Sequence, residues 1–499
     1  MLALAIALGC AASVSAAAGV DSRALTMAKR DGSVDALIVL ADQSGPLLAP
    51  LRTDGDFRLR RRTLVDALQA RAGNDQRNLR AWLESRHIEH RSYWIANVIQ
   101  ARLPLAALTE LAKRADVLRI DANPHVPMNL PRSESVGSPD TETATASIAW
   151  GVTQIEAPTV WAAGFTGQGI VIGGEDTGYQ WDHPALKPHY RGWNGITADH
   201  NYNWHDAIHD ASAGNPCPSD SPAPCDDSSH GTHTAGTFVG DDGAGHQTGV
   251  APGAKWIGCR NMDQGIGTPA RYIECMQWML APTNLAGTGA NPDLGADIVS
   301  NSWGCPEADP PDGEGCTPAD ILEAAVANLV AGGVFYVAAA QNSGSGCSTI
   351  NDPPAIYPES FDVGATDSGD ALWTLSSRGP VSGSGLIRPD VSAPGVSVYS
   401  SVPTDSYGFK SGTSMATPHV AGTAALLMSA FPALRGNPKK VAALLRATAV
   451  TQGVTNTAGV TQSCGGTPIT QWPNYMVGYG RVDASNAYHE VIFVDDFDN

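Results

Sequence analysis

Four short apolar runs limit the fold most: "GIVIGGED" (169–176), "AKWIGCR" (254–260), "ADIVSNSW" (296–303) and "GVFYVAAA" (333–340). Helical patterns lie among them, such as 319–331 and 420–431. Strands that alternate with helices predict an α/β body with a mainly parallel sheet covered on both faces. Sites in such sheets gather outside the carboxyl ends of the strands, so those ends are where chemistry is sought.

Upstream the pattern differs. "DALIVLA" (35–41) reads as a strand, "RTLVDALQARAGNDQRNLRAWLESR" (62–86) as one helix with Leu64, Leu68 and Leu79 among its apolar positions, and "EHRSYWIANVIQARL" (89–103) as strand again. A short helix over "LAALTELAKRA" and a strand over "VLRIDAN" complete a small α+β domain, placed at 19–127. Residues 128–149 read as a linker, rich in Ser, Thr and Pro and without apolar periodicity. The main body is placed at 150–490 and a tail, "VIFVDDFDN", at 491–499. The first 18 residues have a short apolar core and a small-residue end near Ala16–Ala18, the pattern of a secretory signal. A buried element of the first domain is the alternative, and a lipid anchor on Cys10 lacks the Leu usual three places earlier. No internal stretch is long and apolar enough to span a membrane.

The net charge of −19 divides unevenly: residues 1–131 carry about +4 and residues 132–499 about −23. A basic first part and an acidic second part suit complementary partners, although an acidic surface also serves plain solubility. The acidic charge speaks against nucleic-acid binding by the main body, because phosphate contacts need Lys and Arg. Setting Cys10 aside leaves an even set of cysteines, which in an exported chain suggests disulfides. Eight thiols allow 105 pairings; nearest neighbours give 217–225, 259–275, 305–316 and 347–464.

Three motifs stand at element ends. "GGEDTG" closes a strand at Asp176, "SSHGTHTAG" puts His230 at the start of a small-residue helix, and "SGTSMATPH" puts Ser414 at the start of another. A carboxylate, an imidazole and a hydroxyl are the parts of a nucleophilic triad. Serine needs an imidazole to take its proton, and the imidazole needs a carboxylate to fix its tautomer. A helix N-terminus offers Ser414 a free backbone N–H for the oxyanion. Ser411, Thr413 and Thr417 are expected to satisfy local backbone while Ser414 stays free. Taken singly, each residue has an ordinary role: a turn Asp, a core or metal-pairing His, an N-cap Ser. Their joint occurrence in this order is what points to nucleophilic catalysis.

At "HGTHTAG" and "GTSMATPHVAG" the chain resembles the subtilisin-like serine proteases (peptidase S8), over roughly Trp150 to Asn486. "DTGYQWDHPAL" and "STINDPPAIYPE" are similar to the bacillopeptidase F-like branch. The resemblance implies a three-layer subtilisin-like fold with Asp176, His230 and Ser414 as triad and Asn342, in "AAAQNSG", as side-chain oxyanion donor beside the Ser414 N–H. The family's usual Gly before that Asn is Gln341 here, a departure expected to narrow the nearby pocket. Ser302, Trp303 and Gly304 would pair with substrate backbone, with Ala340 also among the substrate-binding residues. Asp352 falls near the expected pocket floor, where a carboxylate favours Arg or Lys before the cut; a turn role before Pro353 and Pro354 is the competing reading.

The first domain resembles the family's inhibitor I9-type propeptide, a ferredoxin-like chaperone and inhibitor, with self-cleavage expected between about Asn123 and Ala149. The implied partners are protein or peptide substrates and the chain's own propeptide, with no nucleic acid, no membrane after export and a monomeric state. The implied location is extracellular, periplasmic or surface-associated. No cofactor is implied for the chemistry. Many members bind structural calcium; Ala185 stands where the strong site usually has a carboxylate, and Asp241 and Asp242 offer another candidate oxygen site, or a solvated acidic turn. The insertion "RGWNGITADHNYNWHDAIHD" (191–210) reads as loop packing, with a rim of the cleft as the alternative. A sedolisin-type enzyme lacks the histidine of "HGTH". An inactive protease-like binding domain is the reading from another class, and an intact set of Asp176, His230, Asn342 and Ser414 speaks against it.

Overall fold

A computed structural model of the chain describes residues 18–43, 56–128, 130–131, 147–306, 315–316, 318–456 and 462–495. Nearly all of the expected signal, most of the linker and the end of the tail lie outside the described residues.

In the first domain, β1 (Ser33–Leu40), β2 (His90–Tyr93), β3 (Val98–Pro104) and β4 (Val117–Ala122) form an antiparallel sheet in the order β4-β1-β3-β2, with a two-residue strand, Gly19–Val20, beside β4. Helices α1 (Phe57–Asp75), α2 (Arg77–Glu84) and α3 (Leu105–Leu111) join them in a ferredoxin-like arrangement. The alternation of β1 explains its unbroken apolar run. Ala36, Ile38 and Leu40 face the domain's own core with Leu79 and Leu83, while Leu37 and Val39 face the main body with Leu64, Val65 and Leu68.

Two expectations need correction here. The single helix over 62–86 is two helices, broken at Gln76, whose buried amide bonds Asn97 Oδ1 at 3.0 Å. The break lets Leu64 and Leu68 serve one face and Leu79 the other. The strand over 89–103 is a hairpin, β2 and β3, turning at 94–97.

In the body, β6 (Val171–Asp176), β7 (Lys255–Arg260), β9 (Ile298–Asn301), β10 (Phe335–Ala339), β11 (Phe361–Thr366) and β12 (Val391–Pro394) run parallel, in the order β12-β11-β10-β9-β6-β7. Helices α4 (His230–Val239) and α7 (Thr413–Ala430) cover one face, where Ile172, Ile298 and Val337 are buried. Helices α5 (Pro269–Leu280) and α6 (Glu323–Ala331) cover the other, over Ile257, Val299 and Tyr336. This is the expected three-layer α/β body. The helix expected over 420–431 starts earlier, at Thr413. The last helix, α8 (Ala484–Asp495), runs across the boundary drawn after residue 490.

The first domain lies on the α5/α6 face: its Leu37, Val39, Leu64 and Leu68 share one apolar cluster with Met276, Leu280, Val326 and Leu329. The four nearest-neighbour cysteine pairs, 217–225, 259–275, 305–316 and 347–464, are all bonded. The insertion is not loop alone: Trp204–Asp206 form a short strand that pairs parallel with β7, and Trp204 is buried in the main core.

Candidate active site

Asp176 is the last residue of β6, and strand alternation turns it toward α4. Its Oδ1 meets His230 Nδ1 at 2.7 Å and accepts the Thr177 N–H at 2.7 Å, and its Oδ2 accepts from Thr234 Oγ1 at 3.3 Å. His230 opens α4 and is fully buried. The start of that helix is held by Asp226, which accepts from the backbone of Ser228, Ser229 and Thr232, from Thr232 Oγ1 at 2.6 Å and from Thr177 Oγ1 at 2.9 Å. One carboxylate thus ties the first turn of α4 to the residue after Asp176. The sequence reading missed it, although an acidic residue just before a helix is a recognisable start signal.

Ser414 is buried in the first turn of α7. Its Oγ donates to the Ser302 carbonyl at 2.9 Å, and Ser302 Oγ donates to the Ser414 carbonyl at 3.0 Å. The second bond has a clear cause. Pro418 has no N–H to give the carbonyl four residues back, so Ser302 supplies the missing donor. His230 Nε2 is buried and finds no hydrogen-bond partner among the described residues. The structure therefore joins Asp176 to His230 directly and holds Ser414 on Ser302.

Asn342 lies just past the end of β10. Its Oδ1 accepts both the Thr413 N–H and Thr413 Oγ1, each at 3.0 Å. With the oxygen committed, the Nδ2 amine is left to donate elsewhere. Thr413 thus orients Asn342 instead of satisfying local backbone as expected. Thr417 does bond locally, to the Thr413 carbonyl at 2.9 Å, and Ser411 Oγ receives the Ser397 N–H at 2.7 Å.

Residues 302–304 follow directly on the end of β9. Trp303 is fully buried and stacks on Tyr272, 3.8 Å between ring centroids. Gln341 holds φ 78°, a left-handed conformation that favours glycine. Its Nε2 donates to the Ala339 carbonyl at 2.9 Å, and its carboxamide lies over Gly304, where an added Cβ would come 2.5 Å from Gln341 Cδ. Ala340 is buried and donates to the Val363 carbonyl at 3.0 Å. Asp352 is buried, and the next residue, Pro353, accepts the Cys305 N–H at 2.6 Å, so this loop runs beside 304–305.

Asp241 and Asp242 brace the turn after α4, and Asp242 also reaches Tyr407. Asp241 Oδ1 accepts the Gly243 N–H at 2.8 Å, Asp242 Oδ1 accepts the Ala244 N–H at 2.8 Å, and Asp242 Oδ2 accepts from Tyr407 OH at 3.0 Å. Among the described residues no group of three or more His, Cys, Asp or Glu side chains is placed to hold a metal ion. Asp241 and Asp242 thus shape the turn after α4.

Residues 167–466 match the subtilase family. The chain belongs to the subtilase family. It is 35% identical over 400 residues to bacillopeptidase F of Bacillus subtilis (strain 168), covering 75% of this chain and 26% of that one. It is 33% identical over 288 residues to subtilisin E of the same organism, covering 57% of this chain and 62% of that one. An alkaline protease of Alkalihalobacillus alcalophilus is 31% identical over 318 residues, 64% of this chain and 68% of that one. The chain thus spans about a quarter of bacillopeptidase F and under two thirds of subtilisin E.

Glu175, beside Asp176, points to the opposite face of the sheet, fully buried, and neither carboxyl oxygen finds a partner among the described residues. Burial pushes its carboxyl well above the usual range. In the unfolded chain it ionises near its ordinary value while the folded state keeps the proton. Stability is therefore lost as pH rises from the unfolded carboxyl's ordinary range toward the raised folded-state value. Glu175→Gln, made in the Ser414→Ala protein to prevent digestion, should show a Tm gain over its parent that grows from pH 4.5 to pH 7.5. A difference that is flat with pH would mean Glu175 is ionised in the fold.

Proposed function

We propose that this protein is a secreted serine endopeptidase made as a self-processing zymogen, hydrolysing peptide bonds through an acyl-enzyme on Ser414. In this reading Ser414 Oγ swings from the Ser302 carbonyl to His230 Nε2, which takes the proton as Oγ attacks the scissile carbonyl. Asp176 holds the Nδ1–H and stabilises the imidazolium. The oxyanion receives Asn342 Nδ2 and the Ser414 N–H. His230 then protonates the leaving amine, and water repeats the sequence to free the acyl group. Four disulfides and the apolar first residues support export.

The observation that carries this reading is a strand. Residues β5 (Val126–Pro127) pair antiparallel with β8 (Ile266–Gly267), Val126 opposite Gly267, and the Met128 N–H donates to the Gly265 carbonyl at 2.9 Å. Farther on, Lys410 Nζ donates to the Pro131 carbonyl at 3.3 Å, and the Pro131 ring lies against Gly412. The chain leaving the first domain thus passes from the β8 edge to the start of α7, two residues from Ser414, as an extended substrate would. The sequence reading named only the 302–304 edge. In this reading self-cleavage falls between Met128 and Pro131. Intact mass of the purified chain and labelling of Ser414 by a fluorophosphonate after processing test the proposal. A chain that neither cuts itself nor takes the label would be a binding module.

The pocket before the cut carries one further expectation. Gln341 closes over Gly304, so small side chains should be preferred there, and Gln341→Gly should raise kcat/KM for a Phe peptide roughly tenfold relative to an Ala peptide. An Arg peptide in the same series tests Asp352: equal rates for Arg, Phe and Leu would leave Asp352 its turn role.

A further inference from the structure

The first domain is held along the α5/α6 face, where the Trp94 and Ile95 N–H groups reach Gln277 and Arg119 pairs with Asp320, and one further contact lies far from the cleft. At the start of α1, Arg61 is 3% exposed, its Nε donating to the Gly332 carbonyl at 2.8 Å and its Nη2 to the Ala296 carbonyl at 2.9 Å. Arg60 Nη2 donates to the Gly436 carbonyl. Arg62 makes a two-point pair with Asp293, at 2.6 and 2.7 Å. Phe57 seats against Gly436, whose φ of 73° and lack of Cβ make room for the ring. Asp56 caps the helix, accepting the Arg58 N–H at 2.9 Å, which fixes the three arginines on one end of α1.

The acceptors belong to the amino end of the sheet. Ala296 precedes β9 and Gly332 precedes β10, whereas Asp176, Ser302 and Asn342 stand at the carboxyl end. Six residues of nearly extended chain from Ala296 to Ser302 put about 20 Å between the two places. The seat has the polarity a guanidinium needs. Gly332 caps the C-terminus of α6, and Leu280 ends α5 close by, with its carbonyl beside Gly295. Two helix C-termini thus present carbonyls at the negative ends of their dipoles. Asp297 adds a carboxylate, itself paired with Arg435 at 2.7 Å. Burial lowers the Arg61 guanidinium only to about 10, so it stays charged at neutral pH.

We infer that the lower end of the catalytic body carries a preformed guanidinium seat, built from the Gly332, Ala296 and Gly436 carbonyls and Asp293. It anchors Arg60–Arg62 and keeps the first domain bound after its link to the body is cut. This rests on the reading of the first domain as a propeptide. It adds that the lifetime of the severed complex is set at the base of the sheet as well as in the cleft. A cut between Met128 and Pro131 loosens only the cleft end; the arginines stay seated.

The test uses the full chain carrying Ser414→Ala and a recognition sequence for an added protease within 132–146. Cutting there severs the domains whether or not the protein can cut itself. Retention of the first domain is then read by size-exclusion chromatography over time. The parent should keep the fragment, and Arg61→Ala should shed it at least tenfold faster. Arg60→Ala/Arg62→Ala, which leaves buried Arg61 in place, should shed it several-fold faster and decides the matter if the first variant does not fold. Retention equal to the parent in the variants that fold overturns the seat. A fragment that is retained through the arginines but does not inhibit the same protein with Ser414 restored overturns the propeptide reading and leaves the seat standing.

Discussion

Replacing Ser414 by alanine should leave Met128 and Pro131 on one polypeptide. The parent chain should be found cut between them. The argument rests on one proton and one atom. In the proposed mechanism the attacking oxygen is Ser414 Oγ, and it turns to His230 Nε2, which is buried and has no hydrogen-bond partner among the described residues. Asp176 and His230 are already joined at 2.7 Å, so the base exists before the nucleophile turns to it. Removing Oγ costs the fold little, because the hydroxyl's bond to the Ser302 carbonyl is a single contact, worth about 1 kcal/mol. The expected result is a folded precursor with a nearly unchanged Tm, no fluorophosphonate label, and peptide hydrolysis reduced by about 10⁶, the scale of the same deletion in subtilisin. Intact mass and kinetics on one preparation check all three. Cutting at the same bond in highly purified Ser414→Ala protein would remove Ser414 from the chemistry.

Much of this was legible because the relevant signals are local. The parallel sheet announced itself in "GIVIGGED" and "ADIVSNSW", where burial on both faces forces continuous apolar runs. The disulfides followed sequence proximity, each but 347–464 closing a short loop. What stayed hidden depends on pairs far apart in the chain. The hold of Thr413 on Asn342 spans 71 residues, and the Ser302–Ser414 exchange spans 112. Neither leaves a periodic trace. The break at Gln76 was invisible because Gln is a good helix former, and its reason, a buried bond to Asn97, is tertiary. Nothing in the periodicity marks the arginines of "RLRRRT" as interface residues, yet Arg61 is among the most buried charges of the first domain. The charge asymmetry between the two parts was the only trace of that contact.

Asn342→Ala should lower kcat by ~10²–10³ with KM little changed, taking the loss known for such a donor in subtilisin. The selectivity for kcat follows from timing: an oxyanion donor acts on charge that develops after binding, so the ground state loses little. The geometry here adds a second consequence. Asn342 Oδ1 is the acceptor for both the Thr413 N–H and Thr413 Oγ1, and alanine strips both of their partner at the start of α7. A buried donor without an acceptor costs about 1–3 kcal/mol, so the variant should also melt earlier than the parent. Asn342→Asp separates the two effects. Its carboxylate still accepts from Thr413, which restores the melting temperature, but it turns an anion instead of an N–H toward the developing oxyanion. Turnover should then fall at least as far as in the alanine variant while stability recovers. If Asn342→Asp instead regained turnover along with stability, Asn342 would be a support for Thr413 and the oxyanion would have to be met by the backbone of Ser414 alone.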